Sequence, residues 1–94
     1  MKAFWYNDSR KNLCGIRIRE LRKKKKITQK KLSIMAQLAG YDFITETAII
    51  KLERGTRFIP DYEVNIFAEL LETTPEYLLQ SYENGHLQSN SKIL

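Results

Sequence analysis

Residues 45–55 read Thr45-Glu46-Thr47-Ala48-Ile49-Ile50-Lys51-Leu52-Glu53-Arg54-Gly55. Taking about 100° per residue, Ala48, Ile49 and Leu52 fall on one stripe. Glu46, Thr47, Ile50 and Arg54 face the other way, with Lys51 at the edge. Thr45 carries a hydroxyl suited to capping the first turn, and Gly55 is suited to ending the last. The segment predicts a short helix moored by a narrow apolar stripe, with most of its surface left for a partner.

The charge around it is uneven. Residues 1–31 hold twelve of the sixteen Lys and Arg against two acids (+10), and the rest holds four bases against nine acids (−5). A basic half joined to an acidic half steers a polyanion onto one side, and nucleic acid is the first such partner. For the lysine run alone, an ordinary solvated basic helix is the simpler reading.

Ninety-four residues make one small domain, and 43% apolar with 29% charged residues is a globular composition. The single cysteine, Cys14, has no partner for a disulfide or a four-ligand metal site, so a reducing cytoplasm is expected. His86 is the lone histidine. No apolar stretch approaches the roughly 18 residues of a membrane span, and Phe4-Trp5-Tyr6 is too short for a signal-peptide core.

Periodicity predicts an all-α chain. Cys14, Ile18 and Leu21 pattern a first helix from Leu13 to Lys26, closed by Lys23 to Lys26 at its negative end. Thr28 caps a second helix to Ala39, with Leu32, Met35, Ala36 and Ala39 inward and Gly40 as the stop. Ile44 and Ile49 take the positions of a hydrophobic staple on the third helix. Asp61 is expected to cap a fourth helix to Glu72, with Val64, Phe67, Ala68 and Leu71 inward. Thr74-Pro75 opens a short fifth helix to Tyr82. Residues 1–12 are expected to form an arm, 13–82 the domain, and 83–94 a polar tail that frays.

With Ile18–Arg22 (IRELR), Thr28–Leu32 (TQKKL) and Ala48–Gly55 (AIIKLERG) in this order, the chain resembles the Cro and phage-repressor-like helix-turn-helix family of the xenobiotic-response-element type. Asp61–Val64 (DYEV) and Thr74–Leu79 (TPEYLL) look like that family's fourth and fifth helices. The resemblance covers residues 13–80 and implies a five-helix, lambda-repressor-like DNA-binding domain. The chain departs from the pattern in four places. Its connection AQLAGYDFIT before the third helix is longer than the tightest turns, and Ile50 stands where Ser is common. Glu46 is acidic where neutral or basic residues are usual, and Glu72 replaces a customary glycine.

The resemblance implies that helix 45–54 reads the major groove, with Thr45, Glu46, Thr47, Ile50 and Lys51 toward the bases. Lys51 suits guanine O6 or N7, Ile50 a thymine methyl and Glu46 a cytosine N4 amine. The alternative is that these are ordinary exposed residues. Thr28, Gln29, Lys30, Arg54 and Arg57 are the expected phosphate contacts. Arg22 and Glu53 are expected to pair as a structural salt bridge, because an unpaired carboxylate beside Ile49 would be costly. Phe4, Trp5 and Tyr6 are open between core packing, an arm and a dimer contact.

The expected function is sequence-specific double-stranded DNA binding by a transcriptional regulator, expected to be a repressor acting as a homodimer. The competing reading is a protein-binding module, such as an antitoxin or antirepressor, gripping a protein partner with the same face. No acid–base or nucleophilic constellation can be assembled, so an enzyme is not expected, and neither is a cofactor or metal.

Overall fold

A computed structural model describes residues 9–80. Five helices follow in order: α1 (Gly15–Lys24), α2 (Gln29–Leu38), α3 (Glu46–Arg54), α4 (Asp61–Leu70) and α5 (Pro75–Leu78). No strand occurs among the described residues. α1 and α2 both pack on α3, α4 packs on α2 and α5, and α5 returns to α1. The core is continuous through these contacts: Ile18, Leu32, Ile44, Ile49, Leu52, Phe67, Leu71 and Leu78 are all buried. No described helix is long and apolar enough to cross a membrane.

The starts of α2, α3 and α5 follow from hydroxyl capping. Thr28, Thr45 and Thr74 accept from the backbone N–H of Lys31 (3.0 Å), Ala48 (3.1 Å) and Tyr77 (3.1 Å). α4 starts differently. Pro60 occupies the cap and makes no side-chain bond there, so Asp61 is the first helical residue and not the cap. Asp61 and Glu63 instead supply negative charge to the first turn, where the helix dipole favours it.

Four helix ends share one geometry. A residue with positive φ follows each of α1 to α4: Lys26 (59°), Gly40 (97°), Gly55 (82°) and Glu72 (58°). The next N–H returns to a carbonyl five residues back: Ile27 to Arg22, Tyr41 to Ala36, Thr56 to Lys51 and Thr73 to Ala68, all at 2.8–3.0 Å. These are Schellman closures, which satisfy otherwise orphaned carbonyls. Glycine adopts the left-handed region without the Cβ clash that Lys26 and Glu72 bear.

Some inward assignments differ from the helical wheel. On α2, Ala39 is exposed, whereas Ser33 is buried with its hydroxyl donating to the Lys30 carbonyl at 2.7 Å. Leu21 and Met35 are only half-buried and border the core. α5 is one turn, shorter than the stretch to Tyr82; Tyr82, His86, the 83–94 tail and Phe4-Trp5-Tyr6 lie outside the described residues. The long 39–45 connection is held by edge-to-face rings. Phe43 lies 6.2 Å from Tyr41 and 6.3 Å from Tyr62, which ties the loop to the start of α4.

Candidate nucleic-acid interface

α3 is gripped at three places, and what is left over is exposed. The first grip is apolar: Ile49 and Leu52 are fully buried. Ala48 is only half-buried, because it flanks the stripe on the side toward Lys51.

The second grip is ionic. Arg22 Nε donates to Glu53 Oε2 at 2.7 Å and Nη2 donates to Oε1 at 2.9 Å, a two-pronged pair with both residues under 10% exposed. Arg22 Nη1 also donates to the Ile27 carbonyl at 2.9 Å. The hydrogen bond to Glu53 pushes the Arg22 guanidinium further up from the ordinary arginine value, against the opposing effect of burial. Gln29 Nε2 adds a third donor to Glu53 Oε1 at 3.0 Å. The side chain expected on a phosphate therefore commits one amide hydrogen to the carboxylate. Net stabilisation from such a buried pair is small, but losing one partner strands the other, so its effect is to fix where α3 sits.

The third grip closes the helix end and comes from the stretch read as an arm. Arg10 Nη2 donates to the carbonyls of Leu52 (3.2 Å) and Glu53 (3.1 Å). The Lys11 amide donates to the Gly55 carbonyl at 2.7 Å. Asn12 is buried; its Nδ2 donates to the carbonyls of Leu52 (3.0 Å) and Arg57 (2.9 Å), and its Oδ1 accepts from the Gly15 amide at 2.8 Å. One amide side chain thus joins the start of α1 to the end of α3 and the loop beyond. The elements approach so closely that a Cβ at Gly15 would overlap the Leu52 carbonyl oxygen and lie 2.6 Å from Arg10 Nη2. Sequence reasoning missed all three residues. Asn12 had a cue, as a capping-type residue three positions before the first helical N–H. Arg10 had none.

What remains outside is polar at the front of α3. Thr45, Glu46, Thr47, Lys51 and Arg54 are exposed. Ile50, taken as outward, is half-buried, because it sits on the flank between the buried Glu53 side and the exposed front. A groove of about 490 Å³ runs beside the helix, bordered by Thr45, Thr47, Ala48 and Lys51 from α3 and by Thr56, Arg57 and Phe58 from the loop. Ile50 is not among its walls.

The basic residues divide into two sets. Lys23, Lys24, Lys26, Lys30 and Lys31 are exposed around the α1–α2 turn and the positive end of α2, with Thr28 exposed beside them. Lys25 Nζ meets Glu72 at 3.2 Å. Arg57 is different: Nη1 and Nη2 donate to Glu63 Oε1 (2.8 Å) and Oε2 (3.1 Å), and Glu63 is 3% exposed. That hydrogen bond raises the Arg57 pKa, with burial opposing. Arg57 is thus held in an ion pair with the buried Glu63.

A family model described as a helix-turn-helix domain matches residues 15–84. The chain belongs to this family, and its five-helix all-α fold is of the Cro and repressor-like kind. No curated protein and no solved structure matched it.

Proposed function

We propose that the chain is a sequence-specific double-stranded DNA-binding transcriptional regulator, a cytoplasmic repressor acting as a homodimer, with α3 in the major groove. The observation that carries this reading is the contrast within α3. Its rear and its end are locked by Ile49, Leu52, Glu53, Arg10 and Asn12, while Thr45, Glu46, Thr47 and Lys51 stand exposed at the front. A rigid helix with a free polar edge is what base readout requires, since each good bidentate contact discriminates by about 1–3 kcal/mol only if held in register. Lys51 is the donor for guanine, and Glu46 the acceptor for cytosine N4. Thr28, Lys30, Arg54 and the α2 amides take phosphates, with Gln29 holding Glu53 in place.

The protein-binding alternative draws on Ile50 and on the acidity of Glu46; Ile50 is half-buried on the flank of α3, whereas Glu46 stands exposed.

Selection of bound duplexes from random sequence tests the proposal. A recurring motif is expected, with two half-sites about 34 Å apart if a two-fold dimer binds. Equal affinity for selected and random duplexes at moderate salt would remove it.

A further inference from the structure

The groove beside α3 has an apolar wall that the reading above leaves unused. Phe58 is 48% exposed, although it follows directly on a loop anchored by Arg57. Its ring shares the groove with Thr47, Ala48 and Lys51, and Lys11 Nζ lies 5.4 Å from the ring centroid. That cation–π contact sets the ring against the segment clamped on the end of α3. Along the same groove the Arg57 guanidinium is turned to Glu63, and Lys51 is the ammonium that borders it. One groove therefore offers a ring, threonine side chains and an alanine methyl next to the Lys51 ammonium.

In the major groove only thymine presents a methyl group, and guanine presents two acceptors, O6 and N7. We infer that this groove reads a thymine beside a guanine, and that Phe58 is a specificity-determining residue outside the recognition helix. The thymine methyl enters between the Phe58 ring and the side chains of Thr47 and Ala48, and Lys51 Nζ donates to the neighbouring guanine. This rests on the DNA-reading function proposed above and adds the base feature recognised.

The test uses the whole chain and a duplex obtained by selection, with each thymine replaced in turn by deoxyuridine, which lacks only the methyl. One position per half-site should lose affinity about fourfold, the worth of one buried methyl group. Phe58→Ala should abolish that penalty while base preference elsewhere persists. Should Phe58→Ala fail to fold, Thr47→Ser, at an exposed position, should reduce the same penalty. Indifference to every thymine methyl overturns the inference and leaves the regulator intact. So does a penalty unchanged in the variants, or a uniform loss across all duplexes in Phe58→Ala, which would make the ring a sugar contact. A chain that selects no duplex overturns both.

Discussion

Arg22 and Glu53 show how one pair sets the position of a helix. Removing the guanidinium leaves a carboxylate at 6% exposure with Gln29 as its remaining donor among the side-chain contacts described. Arg22→Ala should cost about 3 kcal/mol, lowering the melting temperature by roughly 10–20 °C; equal melting would refute the assignment. Glu72 points the other way. It closes α4 at φ 58°, where its Cβ is strained, so Glu72→Gly should raise stability by about 1 kcal/mol in urea titration. The gain is reduced by the greater freedom of glycine in the unfolded chain. Cys14 carries a pH prediction. Burial, the largest cause, lifts its thiol from 9.0 to about 11. Because the folded pKa is raised, its contribution is complete below pH 9 and is lost as pH rises through the window to about 11, when the unfolded chain ionises first. Cys14→Ala should flatten the stability curve over that window while lowering it at neutral pH through the cavity left in the core. A thiol reagent should likewise react with the native chain far more slowly than with the urea-unfolded one.

Among the elements, α3 depends most on its neighbours. Its end is closed by side chains from residues 10–12 as well as by its own Gly55, and Gly15 is the residue that allows α1 so close. Gly15→Ala should cost at least about 3 kcal/mol, since backbone rather than a flexible side chain blocks the new methyl. Circular dichroism melting would check it, and a fall under 1 kcal/mol would be too small for the overlap described. Helix starts were legible wherever a threonine hydroxyl did the capping, as at Thr28, Thr45 and Thr74. They were not legible at α4, where proline geometry replaced the hydroxyl. The stops at Gly40 and Gly55 were legible because glycine advertises left-handed backbone. Lys26 and Glu72 adopt the same backbone without advertising it, since the surrounding helices impose the turn.

For the whole molecule, the exposed lysines of the α1–α2 turn and the front of α3 are the surfaces the proposed function assigns to a polyanion. Binding should weaken with salt at a slope of about −0.9 per phosphate neutralised. Lys30→Ala and Arg54→Ala should each reduce that slope by about one contact, whereas Lys51→Ala should relax preference at one base position. A Lys51→Ala variant with unaltered preference would remove α3 from the reading role. Arg57→Ala should instead lower the melting temperature, because Glu63 at 3% exposure would lose its partner.

Composition and periodicity by themselves determined the helical class, the order of five helices and the basic first third of the chain, because each rests on local propensity, capping chemistry or net charge. The resemblance carried by Ile18–Arg22, Thr28–Leu32 and Ala48–Gly55 singled out Arg22 and Glu53, whose side chains the fold brings to 2.7 Å. Tertiary structure alone decided that Ile50 is half-buried, that Arg57 pairs with Glu63, and that Arg10 and Asn12 bind the end of α3 across forty or more residues of chain. A helical wheel measures angle about one axis. It carries no information on which neighbour closes a flank, which carboxylate lies across a loop, or which distant donor meets an orphaned carbonyl.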